Sequence, residues 1–391
     1  MKKKIFLLVL IIFLARSSYA GTRARFLFIG DIMTHQQQLD AARYKGNEKE
    51  KINTYDFSPQ FRRIRPLLEN YFLVGNLETT FSGSGKKLKY SGYPTFNTPD
   101  DLIKVLSSDL KIDLLTLANN HIFDKGAAGA RRTVEALNSA DLKWTGLGLD
   151  DVVSNDSVML ENEGIRAAFV SHTYGSNLYP KSSDVHLNLI TEEDLKASLT
   201  RAKNLSPDII IACFHWGNEY QYSPSQQQKR AADIAFANGA DLIVGHHPHV
   251  LQPVELRKIS GDFKAVAWSL GNFISFQRTL PRERTCILAA EFEKDNEGRT
   301  RLVKISVAPL QVLAPGQKRT EVTYAGTSPE IIDRLDFEGV STEQKNKLLN
   351  AGRLVLDFLG AQNEIDDYGF YTIWNEDSPD TLPEQRRKSP I

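Results

Sequence analysis

Five segments of the sequence place side chains that bind metal ions or carry protons directly after short apolar runs. In chain order these segments are Gly30-Asp31, Asn76-Leu77-Glu78, Asn119-Asn120-His121, His215-Trp216-Gly217-Asn218-Glu219 and Gly245-His246-His247-Pro248-His249. Carboxylate, amide and imidazole groups together suit Zn, Mn or Fe better than Ca, which prefers oxygen ligands. A set of this size can hold two metal ions about 3.5–4 Å apart, the arrangement used for phosphoester hydrolysis. The sequence therefore predicts a centre for one or two divalent transition metal ions.

Each segment taken alone also has a simpler structural interpretation. Asp31 could cap a helix, and a helix starting there would place His35 four residues on along the same face. Glu78 could be a solvated strand end. A lone histidine beside apolar residues is usually a satisfied core residue. The metal-site hypothesis therefore depends on all five segments meeting in one place.

The elements that must bring these segments together can be read from the spacing of apolar residues. Short apolar runs predict nine strands, at residues 25–30, 71–75, 113–117, 166–171, 208–214, 241–244, 265–270, 286–292 and 302–307. Amphipathic segments predict helices at residues 57–70, 100–110, 129–140, 192–205 and 225–238. This alternation is typical of an α/β fold. The last strands follow one another without helices, so we expect an antiparallel addition at one side.

Five of the eight histidines lie at or just beyond the carboxyl ends of predicted strands. They are His121, His215, His246, His247 and His249. In open α/β sheets that edge is where ligands bind. An extended chain would place His247 and His249 on one face, with His246 pointing the other way. An imidazole beside the amides of Asn119 and Asn120 is suited to shuttling protons.

Composition and charge exclude several classes of protein. The 391 residues are 41% hydrophobic and 25% charged, which is enough apolar side chain to bury a core and excludes general disorder. The same composition excludes a collagen-like or multi-pass membrane chain. Because 48 basic residues balance 48 acidic ones, there is no global positive field, and no nucleic-acid partner is expected.

Residues 1–20 have the pattern of a secretory signal peptide. Lysines at positions 2–4 precede an apolar run at residues 5–15, which is too short to span a bilayer comfortably, and Ser18 and Ala20 are small. We expect cleavage there and export to a periplasm, the cell surface or the medium. An uncleaved anchor is the alternative, and membrane association is expected only through that segment.

The two cysteines, Cys213 and Cys286, each lie in a predicted strand. Two buried free thiols and one inter-strand disulfide are both open. Two cysteines cannot form a disulfide scaffold or a Cys-rich zinc site, so stability must come from an ordinary core.

A change of composition near Pro315 predicts a main domain over residues 25–315 and a C-terminal extension over 316–391. Within the extension, residues 342–359 predict one helix, opened by Ser341 or Thr342 and closed by Gly360. The polar tail after residue 375 is expected to be loose.

The order of the motifs resembles the CapA family, which is named for poly-γ-glutamate capsule biosynthesis and is related to calcineurin-like metallophosphatases. The motifs that carry the resemblance are Gly30-Asp31-Ile32-Met33, Asn76-Leu77-Glu78, Asn119-Asn120-His121, His215-Trp216-Gly217-Asn218-Glu219, Gly245-His246-His247-Pro248-His249 and Ser269-Leu270-Gly271-Asn272-Phe273. The resemblance spans about residues 25–315. It implies a metallophosphatase-like α-β-β-α sandwich, with two sheets flanked by helices and a metal centre at the strand ends.

The resemblance also implies roles for individual residues. The implied metal ligands are Asp31, Glu78, Asn120, His215, His247 and His249. Asp31 and His121 are the implied catalytic residues, His121 as the group that protonates the leaving group. Glu78 stands where phosphatases place a metal-bridging aspartate. Further candidates for the site are His35, His246, Asn119 and Glu219.

Two residues depart from the phosphatase pattern. Phosphatases carry Asp-x-His in the first segment, whereas Met33 takes the place of that histidine here, and His35 is the candidate to compensate. Glu78 is one methylene longer than an aspartate, which changes the bridging distance. One metal, or a weakened second site, is therefore an alternative to two.

Two functions follow as expectations. The first is an exported metal-dependent hydrolase, in which a metal-activated water attacks a phosphoester, ester or amide bond of a capsule or envelope polymer of the poly-γ-glutamate type. The second is a non-catalytic, metal-containing assembly factor that binds an anionic polymer. Arg278, Arg282 and Arg284 could line the path of that polymer, and a solvated charged face is the alternative, more common explanation of such a cluster. Envelope assembly proteins are expected partners. A secreted structural domain with fortuitous histidines is a third alternative, since fold alone does not fix substrate.

Overall fold

The computed structural model describes residues 21–44, 54–150, 157–181, 184–314, 320–326, 340–362 and 365–377. The segment interpreted as a signal peptide and the tail beyond residue 377 lie outside the described residues. Among the described residues, no helix combines the length and the apolar character needed to cross a bilayer.

The helices of the described chain are α1 Gln36–Ala42, α2 Arg65–Leu68, α3 Asp101–Lys104, α4 Gly126–Ser139, α5 Glu192–Asn204, α6 Gln226–Ala237 and α7 Thr342–Leu359. A 3₁₀ turn at Ser58–Gln60 precedes α2, and a π turn at Val105–Asp109 continues α3. The helix predicted at residues 57–70 is wrong, because Pro59 and Pro66 each start a new short helical segment. A proline inside one longer helix would remove a backbone hydrogen bond.

The strands of the described chain are β1 Thr22–Ile32, β2 Arg43–Tyr44, β3 Thr54–Tyr55, β4 Phe72–Leu77, β5 Leu114–Thr116, β6 Lys143–Thr145, β7 Leu147–Leu149, β8 Ser157–Asn162, β9 Ile165–Thr173, β10 Val185–Leu187, β11 Ile209–His215, β12 Leu242–His246, β13 Leu251–Ile259, β14 Asp262–Leu270, β15 Asn272–Ile274, β16 Arg284–Lys294, β17 Thr300–Leu313, β18 Glu321–Tyr324 and β19 Tyr371–Asn375. All nine strands predicted from the sequence are present.

Most of the strands form two sheets. The first has the order β18-β17-β16-β1-β4-β5-β6, with β15 paired to β1 and β19 paired to β17. The second has the order β13-β14-β12-β11-β9-β8. Parallel strands form one part of each sheet, namely β1, β4, β5 and β6 in the first and β9, β11, β12 and β14 in the second. The antiparallel addition expected from the last strands is the β16–β19 side of the first sheet.

The two sheets pack face to face. Phe169 of β9 stacks on Phe72 of β4 with ring centroids 5.7 Å apart, and it lies 6.3 Å from Phe26 of β1. Burying each such ring contributes about 1.5–3 kcal/mol. Alternate residues of β11 divide between the two faces of the second sheet: Ile211 joins the core shared with the first sheet, and Ala212 joins the core under α5 and α6. Helices α2 and α4 bury leucines in the core of the first sheet, so the α-β-β-α sandwich is confirmed.

The described part of residues 316–391 is built onto the first sheet. Strands β18 and β19 both pair with β17, and Trp374 of β19 is buried. Helix α7 is capped by the Ser341 hydroxyl and ends at Gly360, which has a left-handed φ of 71°. The sequence indicated the helix but neither of the two strands.

Both cysteines are buried and free, as the first of the two interpretations held. Burial raises the pKa of Cys213 and of Cys286 to about 12, so neither thiol ionises near neutral pH.

Candidate metal centre

The carboxyl ends of strands from both sheets converge on one buried cluster. Asp31 is the next-to-last residue of β1, and His215 is the last residue of β11. Glu78 follows β4, Asn120 follows β5, and His247 and His249 follow β12. Each of these six residues is at most 4% exposed. The sequence could indicate that each segment lies at a strand end, and the structure brings all of them together.

Two overlapping groups in this cluster have the composition of metal sites. The ligand atoms of Asp31, Glu78 and His215 lie within 4.8 Å of one another, and so do those of Glu78, His247 and His249. Glu78 belongs to both groups. A carboxylate shared between two ligand sets is where a two-metal centre needs its bridge.

Glu78 is the central residue of the cluster. Its side chain is fully buried, and neither carboxylate oxygen has a hydrogen-bond partner in the described part of the chain. Its Oε1 lies 3.6 Å from Nε2 of His215 and 3.8 Å from Nε2 of His249. Burial, followed by the charge of Asp31, raises the pKa of Glu78 well above its usual value. A buried carboxyl group without partners is costly, and a bound cation would supply the missing interaction.

Asp31 is held by two neighbours. Its Oδ1 accepts a hydrogen bond from the Asn76 amide at 2.8 Å, and its Oδ2 lies 3.1 Å from Nδ1 of His249. Burial raises the pKa of Asp31, but the hydrogen bond and charge of His249 outweigh it, so the pKa is lowered. Asp31 is therefore the anionic carboxylate of the pair that it forms with Glu78.

Neither local interpretation of Asp31 was right. The residue does not cap a helix and does not begin one, because β1 continues through it and pairs with Asn272 of β15 and Asn76 of β4. Helix α1 begins at Gln36, and His35 is its N-cap residue. His35 therefore shares no helix face with Asp31.

The imidazoles of His215 and His247 are kept neutral. Burial and the nearby His247 lower the pKa of His215 well below its usual value. Burial and His249 lower the pKa of His247 to about 3. The Nδ1 of His247 is buried, and no described residue offers it a hydrogen bond. Neutral imidazoles with a free nitrogen are the form in which histidine binds a metal.

The backbone of the last segment is not extended, in contrast to the expectation from the sequence. His247 and His249 have φ values of 96° and 56°, in the left-handed region that costs about 1–3 kcal/mol for such a residue. This conformation still turns both rings toward Glu78. His246 lies outside both ligand groups, and its Nε2 is 3.2 Å from the carbonyl of Ile29 in β1.

The three neighbouring residues Asn119, Asn120 and His121, which follow β5, make different contacts. Asn120 places its Oδ1 2.8 Å from Nε2 of His215, within reach of the ligand groups. Asn119 is turned away, since its amide donates to the Leu77 carbonyl at 2.7 Å and its Oδ1 accepts from the His121 backbone. His121 places its Nδ1 2.8 Å from Oδ2 of Asp124. An imidazole oriented by a carboxylate has the arrangement of a general acid–base pair.

The remaining candidates lie around the cluster. The Nδ1 of His35 accepts a hydrogen bond from the Phe276 backbone at 3.2 Å, and burial and His249 lower the pKa of His35 to about 4. Glu219 is exposed and contributes to raising the pKa of Glu78. Neither belongs to a ligand group. Met33, which occupies the place of the phosphatase histidine, is buried.

Two residues of the site were not assigned from the sequence. The Asn76 amide contacts both Asp31 and Nδ1 of His215, the latter at 3.3 Å. Tyr174 follows β9, and its ring lies 4.7 Å from that of His247. Burial and Glu78 raise the pKa of Tyr174 to about 12. Asn76 lay inside a recognised motif, whereas the sequence around Tyr174 gives no signal.

Comparisons with known proteins match the part of the chain that contains these motifs. The profile of a family described as bacterial capsule synthesis protein PGA_cap matches residues 25–277. Capsule biosynthesis protein CapA of Bacillus anthracis is 31% identical over 258 residues, which are 63% of this chain and 61% of that protein. PGA biosynthesis protein CapA of Bacillus subtilis is 26% identical over 285 residues, 72% of this chain and 70% of that protein.

Among solved structures, a 5'-nucleotidase from Candida albicans matches with a TM-score of 0.46 and 12% identity, covering 88% of this chain and 61% of that one. The chain spans less than two thirds of the length of the Bacillus anthracis relative.

Proposed function

This chain belongs to the PGA_cap family of bacterial capsule synthesis proteins, and from that premise we propose that it helps to make a capsule or envelope polymer of the poly-γ-glutamate type. Its role there is that of an exported metal-dependent hydrolase acting on a phosphoester, ester or amide bond. The observation that carries this proposal is Glu78, a fully buried carboxyl group near the neutral rings of His215 and His247. Both of its oxygens lack a hydrogen-bond partner among the described residues.

The residues present fit one or two divalent transition metal ions such as Zn, Mn or Fe. The residues that would hold them are Asp31, Glu78, Asn120, His215, His247 and His249. Carboxylate, amide oxygen and neutral imidazole are ligands of the kind that these metals take. A bound metal of this type supplies Lewis-acid polarisation and a nucleophile at neutral pH.

The protein's own contribution to the chemistry is proton transfer by His121. Asp124 accepts at Nδ1 of His121, which fixes the ring and leaves Nε2 to carry the transferred proton. Asp124 also accepts from the Phe96 backbone at 2.6 Å, so it is itself held in place. In this role Nε2 of His121 protonates the leaving group while Asp124 stabilises the charged ring.

The second candidate is an assembly factor that binds an anionic polymer without cleaving it. Met33 favours this alternative, because a buried thioether stands where phosphatases have a histidine ligand. A centre that lacks this histidine would hold one metal ion, to which carboxylates of the polymer would bind.

Metal content tests the proposal first. The protein is purified without residues 1–20, loaded with Zn or Mn and analysed for metal stoichiometry beside His247→Ala/His249→Ala. About two equivalents, lost in the double variant, support the two-metal hydrolase. One equivalent favours a centre that holds a single metal ion. If neither protein binds metal, both the hydrolase and the metal-containing assembly factor are contradicted.

Turnover separates the hydrolase from the assembly factor. Phosphoester and γ-glutamyl amide substrates are offered to the metal-loaded protein and to His121→Ala. We expect His121→Ala to lose turnover by about 10²–10⁴-fold while keeping its metal. Unchanged turnover contradicts the role of His121, and a metal-loaded wild type without any turnover favours the assembly factor.

Export is proposed from residues 1–20 and is tested separately. Expression of the full chain in a bacterial host, followed by mass analysis of the N-terminus in each cell fraction, should find an exported chain that starts near residue 21. A full-length chain held in the membrane fraction would support an uncleaved anchor instead.

A further inference from the structure

One cation beside the metal centre, Arg282, has no acidic partner among the residues that the structure describes. Of the three arginines that follow β15, Arg278 pairs with Glu283 at 3.0 Å, and Arg284 is buried within β16. Arg282 is half-buried, and no carboxylate of the described residues lies within ion-pairing distance of it. A partly desolvated guanidinium without a counter-charge is a strong binding group for an oxyanion.

The side chain of Arg282 is held in place by an aromatic ring. Its guanidinium carbon lies 3.4 Å from the centroid of the Tyr220 ring. This cation–π contact uses the face of the guanidinium and leaves its N–H edge free to donate.

Tyr220 and Arg282 are both linked by hydrogen bonds to the segment at residues 247–249, which carries the candidate ligands His247 and His249. The backbone N–H of Tyr220 donates to the Pro248 carbonyl at 2.8 Å, and the Tyr220 ring lies 6.2 Å from the ring of His249. The fully buried Asn272 amide donates to the carbonyls of His249 and Arg282, at 3.3 and 3.2 Å. Arg282 is thus tied through both its side chain and its backbone to the segment that carries two ligands.

We propose that Arg282, stacked on Tyr220, forms an oxyanion-binding subsite at the edge of the metal centre that takes a free carboxylate of the polymer being processed. The inference rests on the proposed function only in taking the metal centre as the place where the polymer binds. Free carboxylates recur along a γ-linked glutamate chain, so one can sit on Arg282 while a neighbouring bond lies at the metal.

Binding measurements test this subsite without requiring turnover. The probes are a short γ-linked glutamate oligomer and the same oligomer with its α-carboxylates converted to amides. Each is titrated into metal-loaded wild type, Arg282→Gln and Arg278→Gln, the last being a control that removes the same charge from the same loop. We expect wild type and Arg278→Gln to prefer the acid form on the order of tenfold, and Arg282→Gln to lose that preference.

Two further variants and a second anion sharpen the result. Tyr220→Leu should lose the preference as Arg282→Gln does, whereas Tyr220→Phe should keep it, and thermal unfolding checks that each variant is folded. An unchanged preference in Arg282→Gln, or an equal loss in Arg278→Gln, overturns the proposal. If Arg282→Gln weakens binding of inorganic phosphate but not of the oligomer, the carboxylate assignment is wrong.

The outcome is separable from that of the hydrolase proposal. Binding of the oligomer that depends on Arg282, in a protein that cleaves nothing, supports the subsite and contradicts the hydrolase. If the protein cleaves its substrate but Arg282→Gln has no effect on oligomer binding, the hydrolase is supported and the subsite is contradicted.

Discussion

Asn76 donates from its side-chain amide to Oδ1 of Asp31 at 2.8 Å, and the same nitrogen lies 3.3 Å from Nδ1 of His215. Its own Oδ1 accepts from the Thr116 hydroxyl at 3.3 Å. Asn76 therefore orients one candidate ligand from each sheet while belonging to neither ligand group. Such supporting residues set the geometry and affinity of a metal site as much as the ligands do.

Replacing Asn76 should weaken metal binding without unfolding the protein. Asn76→Ala removes the donor to Asp31, and we expect metal affinity to fall about 10–100-fold. Competition with a chromogenic chelator measures this directly. Asn188→Ala, which removes a half-buried amide that donates to Ser171, is the control and should bind metal as wild type does. Equal affinity in the two variants would contradict the role given to Asn76.

Replacing Glu78 should change stability in opposite directions with and without metal. In metal-free protein, Glu78→Gln removes a buried acidic group that has no hydrogen-bond partner among the described residues, so we expect the free energy of unfolding to rise by about 1–3 kcal/mol. In metal-loaded protein the same change removes a ligand and abolishes the stabilisation by metal. Denaturant unfolding with and without a chelator measures both effects. A variant less stable than wild type under both conditions would show that Glu78 has a protein partner in solution.

At this scale the sequence was informative about residue types and much less so about directions. Asp31, Glu78 and the histidine pair could be predicted because each follows an apolar run, and strand ends share an edge. Asn119 and Asn120 are adjacent in sequence, yet only Asn120 reaches His215, since the other amide is used to hold the Leu77 carbonyl. Which of two neighbouring amides turns inward depends on backbone contacts that are distant in sequence.

At the scale of elements, the parallel pairing of β15 with the end of β1 positions the first ligand. The Asp31 backbone donates to the Gly271 carbonyl at 2.9 Å. Gly30 lies where this pairing begins, and a Cβ there would lie 2.0 Å from the same carbonyl oxygen. The two chain segments can approach this closely only because residue 30 has no side chain.

A methyl group at residue 30 should therefore disturb both the fold and the candidate metal centre. We expect Gly30→Ala to lower the free energy of unfolding by about 1–3 kcal/mol through overpacking, and to weaken metal binding because Asp31 must move. Gly85→Ala is the matched control, since a Cβ there would meet no heavy atom within 4 Å. Unfolding curves and metal titration of the two variants test the expectation. Similar stability in both would mean that the strands can separate at no cost.

The elements that the sequence predicted well and badly differ in what determines them. Helix α5 follows from local signals, because Thr191 caps it with a hydrogen bond to the Asp194 backbone. The helix expected at residues 57–70 had an amphipathic pattern, but its two prolines outweighed that pattern. Strands β18 and β19 had no clear signal, since each is stabilised by pairing with the distant β17.

At the scale of the whole molecule, stability should depend on pH through a histidine far from the ligand groups in sequence. His172 of β9 is fully buried, with its ring 6.0 Å from Phe214. Burial, with the charge of Arg201, lowers its pKa to about 3, against the hydrogen bond to the Asp194 backbone. In the unfolded chain the pKa of His172 has its usual value near 6.5. Between about pH 3 and pH 6.5, His172 is therefore protonated only in the unfolded state.

The free energy of unfolding should therefore fall as pH drops from about 6.5 toward 3, with His172 contributing about one proton to the slope. Above that window His172 contributes no slope. His172→Gln removes the titrating ring, and we expect the slope of unfolding free energy against pH to be smaller by the contribution of about one proton. Denaturant unfolding at a series of pH values, in chelator for both proteins, gives the two slopes. Identical slopes in wild type and His172→Gln would contradict the assignment.

The candidate ligands come from both sheets, from Asp31 near the start of the described chain to His249 more than halfway along it. Before the sheets have packed together, these side chains are separated by long stretches of chain and offer no concave site. A metal held by these side chains would therefore be acquired only after the sheets have packed together. If the export that we propose takes place before folding, the chain would cross the membrane without its metal and would take the ion from the compartment where it folds. The metal found in the working protein would then reflect the supply outside the cytoplasm as well as the preference of the ligands.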